Sequence, residues 1–205
     1  MNGTERVMAY VDGFNLYFGI RQHGRRLLWL DLDKLVRSLL KPHQRLEGVR
    51  YFTASVRNDP PSEHRQRTYL RALEAHCPAL DIVLGRFQQK TKTCKTCRSS
   101  WPDYEEKETD VSLAVSLLED GVSGRYDTAL IISADSDMCP AIRSVKRLLP
   151  SVRVIAVFPP NRRSHDLMRA CDATLPLGLA KVRQSQLPES ITVAGTTLKR
   201  PDHWK

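Results

Sequence analysis

No stretch of the 205 residues approaches the ~20 consecutive apolar positions that a bilayer-spanning helix requires. The opening MNGTERVMAYVDGF enters a strand-like run almost at once and lacks the pattern of a secretory leader. The expectation is a cytoplasmic protein with no membrane contact. Cysteine is scarce: there are five, an odd number, which argues against a disulfide framework. Cys77, Cys139 and Cys171 lie in apolar or helical contexts and read as small core residues. Internal repeats are also absent. Acidic residues are outnumbered, 23 against 32 lysines and arginines, so the net charge is +9. Such a surface favours phosphate-rich polymers through counterion release. The remaining composition, 41% hydrophobic and 27% charged, is ordinary for one well-buried core.

Strand and helix patterns alternate along the chain. Residues 6–12 read as a buried strand, 31–40 as a helix capped by Asp31, and 49–56 as a strand rich in β-branched and aromatic types. Asp59-Pro60 reads as an N-cap and first-turn proline of a helix reaching about His76. Residues 81–87 are a third strand. The polar insert 88–103 reads as a loop. Asp103 then caps a helix, with Glu106 completing a capping-box-like pair, and Gly121 stops it after Asp120. Strands follow at 128–133 and 152–158, with a helix over 137–149 between them, and a short helix and strand close the unit near 164–177. The alternation predicts an α/β fold, a parallel sheet of about five strands with helices on both faces. Residues 1–178 form the expected domain. Residues 179–205 lose the periodicity: a docked hairpin or strap anchored by Trp204 and an unstructured tail both fit.

The acids fall where such a sheet gathers its chemistry, outside the carboxyl ends of its strands. Asp12 closes the first run, in VMAYVDGFNLY. Asp135 and Asp137 follow the fourth, in TALIISADSDM. Asp110 stands near the start of EEKETDVSLAVSLL, on one helical face with Leu113, Ala114 and Leu117. Each acid alone has a plain reading as a turn former or helix cap. Four converging on one edge repel one another unless a cation neutralises them, which predicts a divalent metal.

VDGFNLY, EEKETDVSLAVSLL and ISADSDMCPAIR, in that order, resemble the NYN domain, a branch of the PIN-like ribonucleases. The likeness runs from about residue 6 to about 176 and includes RSHDLMRACD; the late PDHW is similar to a C-terminal element of some members. The resemblance implies a Rossmann-like, three-layer PIN-type fold with strand order 3-2-1-4-5. It also implies Mg²⁺- or Mn²⁺-dependent hydrolysis of phosphodiesters, usually in RNA, with one or two ions. By position, Asp12, Asp110 and Asp135 are the metal-binding acids and Asp137 a fourth, ligand or supporting. Asn15 lies in the site, Ser133 orients ligands or water, and Lys107 and Glu106 precede Asp110 on its face.

An acidic centre repels RNA, so basic loops must bring it in. Arg21, Arg25 and Arg26 follow the first strand. Lys90, Lys92, Lys95, Arg98 and Trp101 lie in the insert, and Arg162 and Arg163 follow the fifth strand. A solvated charged surface is the plain alternative. Cys94 and Cys97 form a lone CxxC. Unliganded loop cysteines lead, ahead of zinc, shared across a dimer or otherwise, and of a redox pair. A metal-dependent endoribonuclease is the leading expectation. A non-catalytic RNA-binding module of the same fold, a DNA-directed nuclease, a homodimer and a regulatory protein partner stay open. A phosphatase fits poorly, because Gly13, Phe14 and Asn15 follow Asp12 where a second nucleophile-site aspartate belongs.

Overall fold

In a computed structural model, the first apolar run becomes the centre of a seven-stranded sheet. The structure describes residues 4–193 and 195–205, and of residues 87–89 and 102–106 the backbone alone. Strand β1 (Glu5–Asp12) has its last six residues buried. It pairs in parallel with β2 (Gln44–Ala54) on one side and β5 (Thr128–Ile132) on the other. Beyond β2 lies β3 (Leu80–Thr93), and beyond β5 lie β6 (Arg153–Phe158) and β7 (Ala173–Pro176), all parallel. A further strand, β4 (Ser100–Lys107), runs antiparallel along the outer edge of β3. The order is β4-β3-β2-β1-β5-β6-β7. The expected succession 3-2-1-4-5 is its middle, lengthened by one parallel strand and one antiparallel edge strand.

The period-two geometry of β1 divides the interior. Val7, Ala9 and Val11 face a core built with α1 (Gly13–Arg21), α2 (Leu32–Arg37), α3 (Pro60–His76) and α7 (Leu179–Gln184). Met8 and Tyr10 face the opposite core, covered by α4 (Thr109–Val122), α5 (Cys139–Leu148) and α6 (His165–Ala170). Because both faces are covered, the central strands carry unbroken apolar runs. Asp31 and Asp59 cap α2 and α3 through the backbone N–H groups of Lys34 and Ser62. The C-terminal segment forms a hairpin, β8 (Ser190–Val193) with β9 (Thr196–Lys199). Ile191, Leu198 and Trp204 enter the first core, with the Trp204 ring 5.8 Å from Tyr69 and 6.5 Å from Trp29. Among the described residues, no helix is long and apolar enough to cross a membrane.

The insert corrects the sequence reading. Residues 88–103 are not a loop: β3 continues to Thr93 and β4 returns from Ser100, pairing Lys92 with Trp101 and Thr93 with Ser100. The backbone of Asp103 and Glu106 therefore lies in a strand, and α4 starts only at Thr109, after Glu108 in a left-handed conformation, φ 78°. The alternating threonines and lysines of 90–93 suit a half-exposed strand, and long-range pairing outweighs a local capping pattern. Gly121 lies inside α4 rather than ending it.

Cys94 and Cys97 stand at the tip of this hairpin, where the Cys94 N–H donates to the Ser99 carbonyl at 2.8 Å. No His, Cys, Asp or Glu joins them as a third ligand among the described residues. Cys97 is exposed, and hydrogen bonds with Ser99, chiefly its hydroxyl at 2.9 Å, bring the thiol down to about 7. Burial pushes the Cys77 and Cys171 thiols up, to about 12 and about 11. Iodoacetamide is therefore expected to alkylate Cys97 well before either, at a rate that climbs as pH rises through about 7. Peptide mass spectrometry of a timed labelling checks this; earlier modification of Cys77 or Cys171 contradicts it.

Candidate metal centre

The centre is assembled where β1 and β5 end side by side. Val11 pairs with Ile132, so Asp12 emerges next to the Ser133-Ala134-Asp135 segment that leaves β5. The first turn of α4 brings Asp110 over the same rim, its register fixed by Leu113 and Leu117, both buried in the second core. One carboxylate oxygen each from Asp12, Asp110 and Asp135 lie within 4.8 Å of one another. Asp12 is buried, Asp135 half-buried and Asp110 exposed, so the cluster opens to solvent on one side.

Asp12 is held from several directions. One oxygen accepts from the Asn15 backbone N–H at 2.9 Å, which caps α1. The other accepts from the Asn15 amide at 2.6 Å and from the Ser133 hydroxyl at 2.8 Å. Ser133, fully buried, also accepts from the Asp135 N–H at 3.0 Å and so couples the two acids. These three donors leave Asp12 about one free lone pair, since a carboxylate offers about four. Burial pushes the Asp12 carboxyl above its ordinary range, and the charge of Asp135 adds to that; the Asn15 and Ser133 hydrogen bonds oppose it. A cation among the three acids would relieve both the desolvation and the repulsion. An all-oxygen, mixed buried-and-exposed donor set fits a hard divalent ion that keeps some of its water.

Gly13 explains how the chain leaves β1 so sharply. A Cβ there would lie 2.6 Å from the Phe52 carbonyl oxygen and 3.0 Å from the Tyr51 ring, so only glycine lets α1 start against β2.

The other candidate residues divide. Asn15 is in the site, and its carbonyl oxygen accepts from the Arg162 guanidinium at 3.2 Å. Arg162 also lies 5.9 Å from the Phe18 ring centroid, so one predicted cation reaches the centre. Asp137 is not one of the clustered acids. Its backbone N–H donates to Asp135 at 3.0 Å within a short 3₁₀ turn, and its exposed side chain faces a separate cavity with Arg143, Lys146 and Arg169. Lys107 ends β4, half-buried; it precedes Asp110 from a strand and not from one helical face. The Glu106 side chain lies outside the described residues. Lys90, Lys92, Lys95, Arg98 and Trp101 are exposed along the β3–β4 hairpin, and Arg26 and Arg163 are exposed elsewhere. Arg21 and Arg25 line a cavity beside α1 together with Tyr51, Arg65 and His203. The last three went unread in the sequence, because nothing local ties them to residues around 20.

A doubly covered parallel sheet with three acids at its carboxyl rim defines a class, the nuclease-type PIN-like fold. The chain belongs to the NYN domain family, whose model matches residues 6–178. It is also 27% identical over 240 residues to the 6-hydroxy-3-succinoylpyridine 3-monooxygenase HspA of Pseudomonas putida, covering 97% of this chain and 75% of that one. Among solved structures, a protein of unknown function from Vibrio parahaemolyticus superposes with a TM-score of 0.56 at 15% identity, over 87% of this chain and 96% of the other. That last likeness concerns the fold alone.

Proposed function

We propose that this protein is a metal-dependent ribonuclease that cuts RNA phosphodiester bonds internally, in the cytoplasm. The observation that carries the reading is the convergence of Asp12, Asp110 and Asp135 oxygens within 4.8 Å at the carboxyl rim of a NYN domain. Asp12, Asp110 and Asp135 would hold Mg²⁺ or Mn²⁺, which would supply Lewis acidity and a more acidic water there. The chain's own residues do the rest. Asn15 and Ser133 fix the Asp12 carboxylate, so its geometry needs no reorganisation when the phosphate arrives. Arg162, anchored on Asn15, sets a fixed positive charge beside the acids, suited to a phosphate oxygen. The lysines of the β3–β4 hairpin, with Trp101 for stacking, offset the repulsion between the acidic centre and the polymer.

The test pairs calorimetric titration of Mn²⁺ with cleavage of a labelled single-stranded RNA. Wild type is expected to bind Mn²⁺ and cleave, while Asp110→Asn and Asp135→Asn each lose most of both. RNA binding without Mn²⁺ binding or cleavage would favour a non-catalytic RNA-binding module, and equal cleavage of DNA would widen the substrate. A second reading takes its support from HspA, a protein named as an oxygenase of a pyridine acid and similar along 97% of this chain. On that reading the protein acts on a small aromatic acid. Turnover of such an acid, in a protein that cuts no RNA with any divalent metal, would establish it.

A further inference from the structure

The cavity beside α1 encloses about 460 Å³, within the ~300–1,000 Å³ typical of small-ligand sites. It begins next to the metal centre: Gly13, the residue after Asp12, is in its wall, and so is Tyr51, whose phenol lies close enough to Asp12 for that charge to reach it. The interior is aromatic and aliphatic, with Tyr17, Tyr69 and Trp204 among its walls. The Arg21 guanidinium lies 5.9 Å from the Tyr17 centroid, a cation placed on a ring.

Its charge is one-sided. Arg21, Arg25 and Arg65 line it and surround His203, whose pKa is held below its ordinary value by desolvation and then by Arg25, Arg65 and Arg21 in turn. The acid in the lining is Asp59, which is engaged at the head of α3 by the Ser62 N–H at 3.2 Å and the Ser62 hydroxyl at 2.5 Å. Among the described residues, none of the three arginines forms a direct ion pair with a carboxylate; Arg65 donates to the Ser62 hydroxyl, and its charge adds to the Ser62 hydrogen bonds that hold the Asp59 carboxyl below its ordinary range. Gln66 is engaged at both ends, accepting from the Val56 N–H at 2.7 Å and donating to the Ala54 carbonyl at 2.9 Å. Three guanidinium groups against one acid in the lining of an aromatic cavity call for a planar ring that carries an anion.

We propose that this cavity is a nucleotide-binding subsite: it takes one unstacked base of single-stranded RNA, with the attached phosphate on Arg21, Arg25 and Arg65. The proposal rests on the ribonuclease reading, and it makes the scissile bond lie next to a base that has been drawn out of the strand. The base would pack on the Tyr17 and Trp204 rings, so binding tolerates different bases while requiring a phosphate. The C-terminal segment, which supplies His203 and Trp204, thereby becomes part of the substrate site.

Titration of uridine 5′-monophosphate into the full chain in EDTA isolates this subsite from any metal-held phosphate. Saturable binding is expected in wild type, and the double variant Arg25→Ala/Arg65→Ala should weaken it by at least about tenfold, as expected when charge-assisted contacts to phosphate are lost. Uridine, lacking the phosphate, should bind as poorly as the variant binds the nucleotide. Failure of the monophosphate to saturate, or undiminished binding by the double variant with an unchanged circular dichroism spectrum, would overturn the proposal. So would tight binding of pyridine-3-carboxylate in place of the nucleotide, which would move the cavity to the small-acid reading. RNA cleavage by wild type is scored separately, so a missing subsite and a missing nuclease activity give different results.

Discussion

Asp12→Asn is expected to lower RNA cleavage by more than the ~10–100-fold that loss of an outer-shell partner of a metal site typically costs. The reason is that Asp12 is both a member of the triad and the residue on which the others are organised. Ser133 bridges it to Asp135, and Asn15 carries its hydrogen bonds on towards Arg162. Its effect on stability runs the other way. The folded Asp12 carboxyl is raised above its unfolded value of 3.8, first by burial. A raised acid contributes stability that is fully present below the unfolded value and lost as pH rises through the folded one, so at neutral pH the ionised group opposes folding. The neutral amide removes that opposition but gives up an acceptor, leaving the Asn15 amide or the Ser133 hydroxyl to find another. In EDTA the variant should therefore melt within the roughly 2–4 °C that 1 kcal/mol represents for a domain of this size. A cation that binds only the folded state adds stability by mass action. Mn²⁺ should thus raise the Tm of wild type and leave that of Asp12→Asn unmoved. A variant that cleaves like wild type, or one that Mn²⁺ stabilises equally, would remove Asp12 from the centre.

The rim of acids was legible because Asp12 and Asp135 follow local apolar runs that end as strands, Asp110 opens one that becomes a helix, and the parallel sheet brings those points to one edge. Asp12 and Asp135 needed only the alternation of strands and helices. Asp110 needed the helix register given by Leu113 and Leu117, which is also local. Asp137 shows where that reasoning stops: it stands two residues from Asp135, yet the 3₁₀ turn that Asp135 caps sends it outwards. Residues 88–107 were misread for a different reason. A capping pattern at Asp103 and Glu106 is a local signal, whereas the β3–β4 ladder depends on pairing residues up to 21 apart, Arg86 with Lys107. Helix α1 was hidden in GFNLYFGIR, whose two glycines and three aromatics are weak helix formers; packing of Leu16 and Ile20 against the sheet supplies what propensity does not. The arginine-lined cavity joins residues from α1, β2 and α3 with His203 and Trp204 near the end of the chain, and no pattern within any one segment announces it.

Asp120 is the most consequential residue that the sequence concealed. The sequence marks it only as the last residue of a helix; in the fold it is 2% exposed. Its carboxylate accepts from the Tyr10 hydroxyl at 2.9 Å, from Arg50 at 2.7 Å and from Arg125 at 3.1 Å. Tyr10 belongs to β1 and Arg50 to β2, so a single carboxylate ties α4, whose first turn carries Asp110, to the two strands that support Asp12. Asp120→Ala would leave the Tyr10 hydroxyl buried without its acceptor and the Arg50 guanidinium, whose side chain is 19% exposed, with Asp81 at 3.6 Å as its remaining carboxylate among the described residues. Removing one partner of a buried pair costs about 3–5 kcal/mol; partial exposure of Arg50 favours the lower end. With about 2–4 °C lost per kcal/mol, Tm should fall by roughly 6–12 °C. Arg125, more than half exposed, contributes little, so Arg125→Ala should shift Tm by no more than about 2–4 °C. Adding Arg50→Met to Asp120→Ala removes the stranded charge and should recover part of the loss, which distinguishes an uncompensated guanidinium from a packing defect. Thermal melts of the four proteins check the set. If Asp120→Ala melts with wild type, or if the double variant melts below it, the carboxylate does not hold the helix to the sheet. Where the tie does hold, loosening α4 should also weaken Mn²⁺ binding, because Asp110 reaches the rim only through the register of that helix.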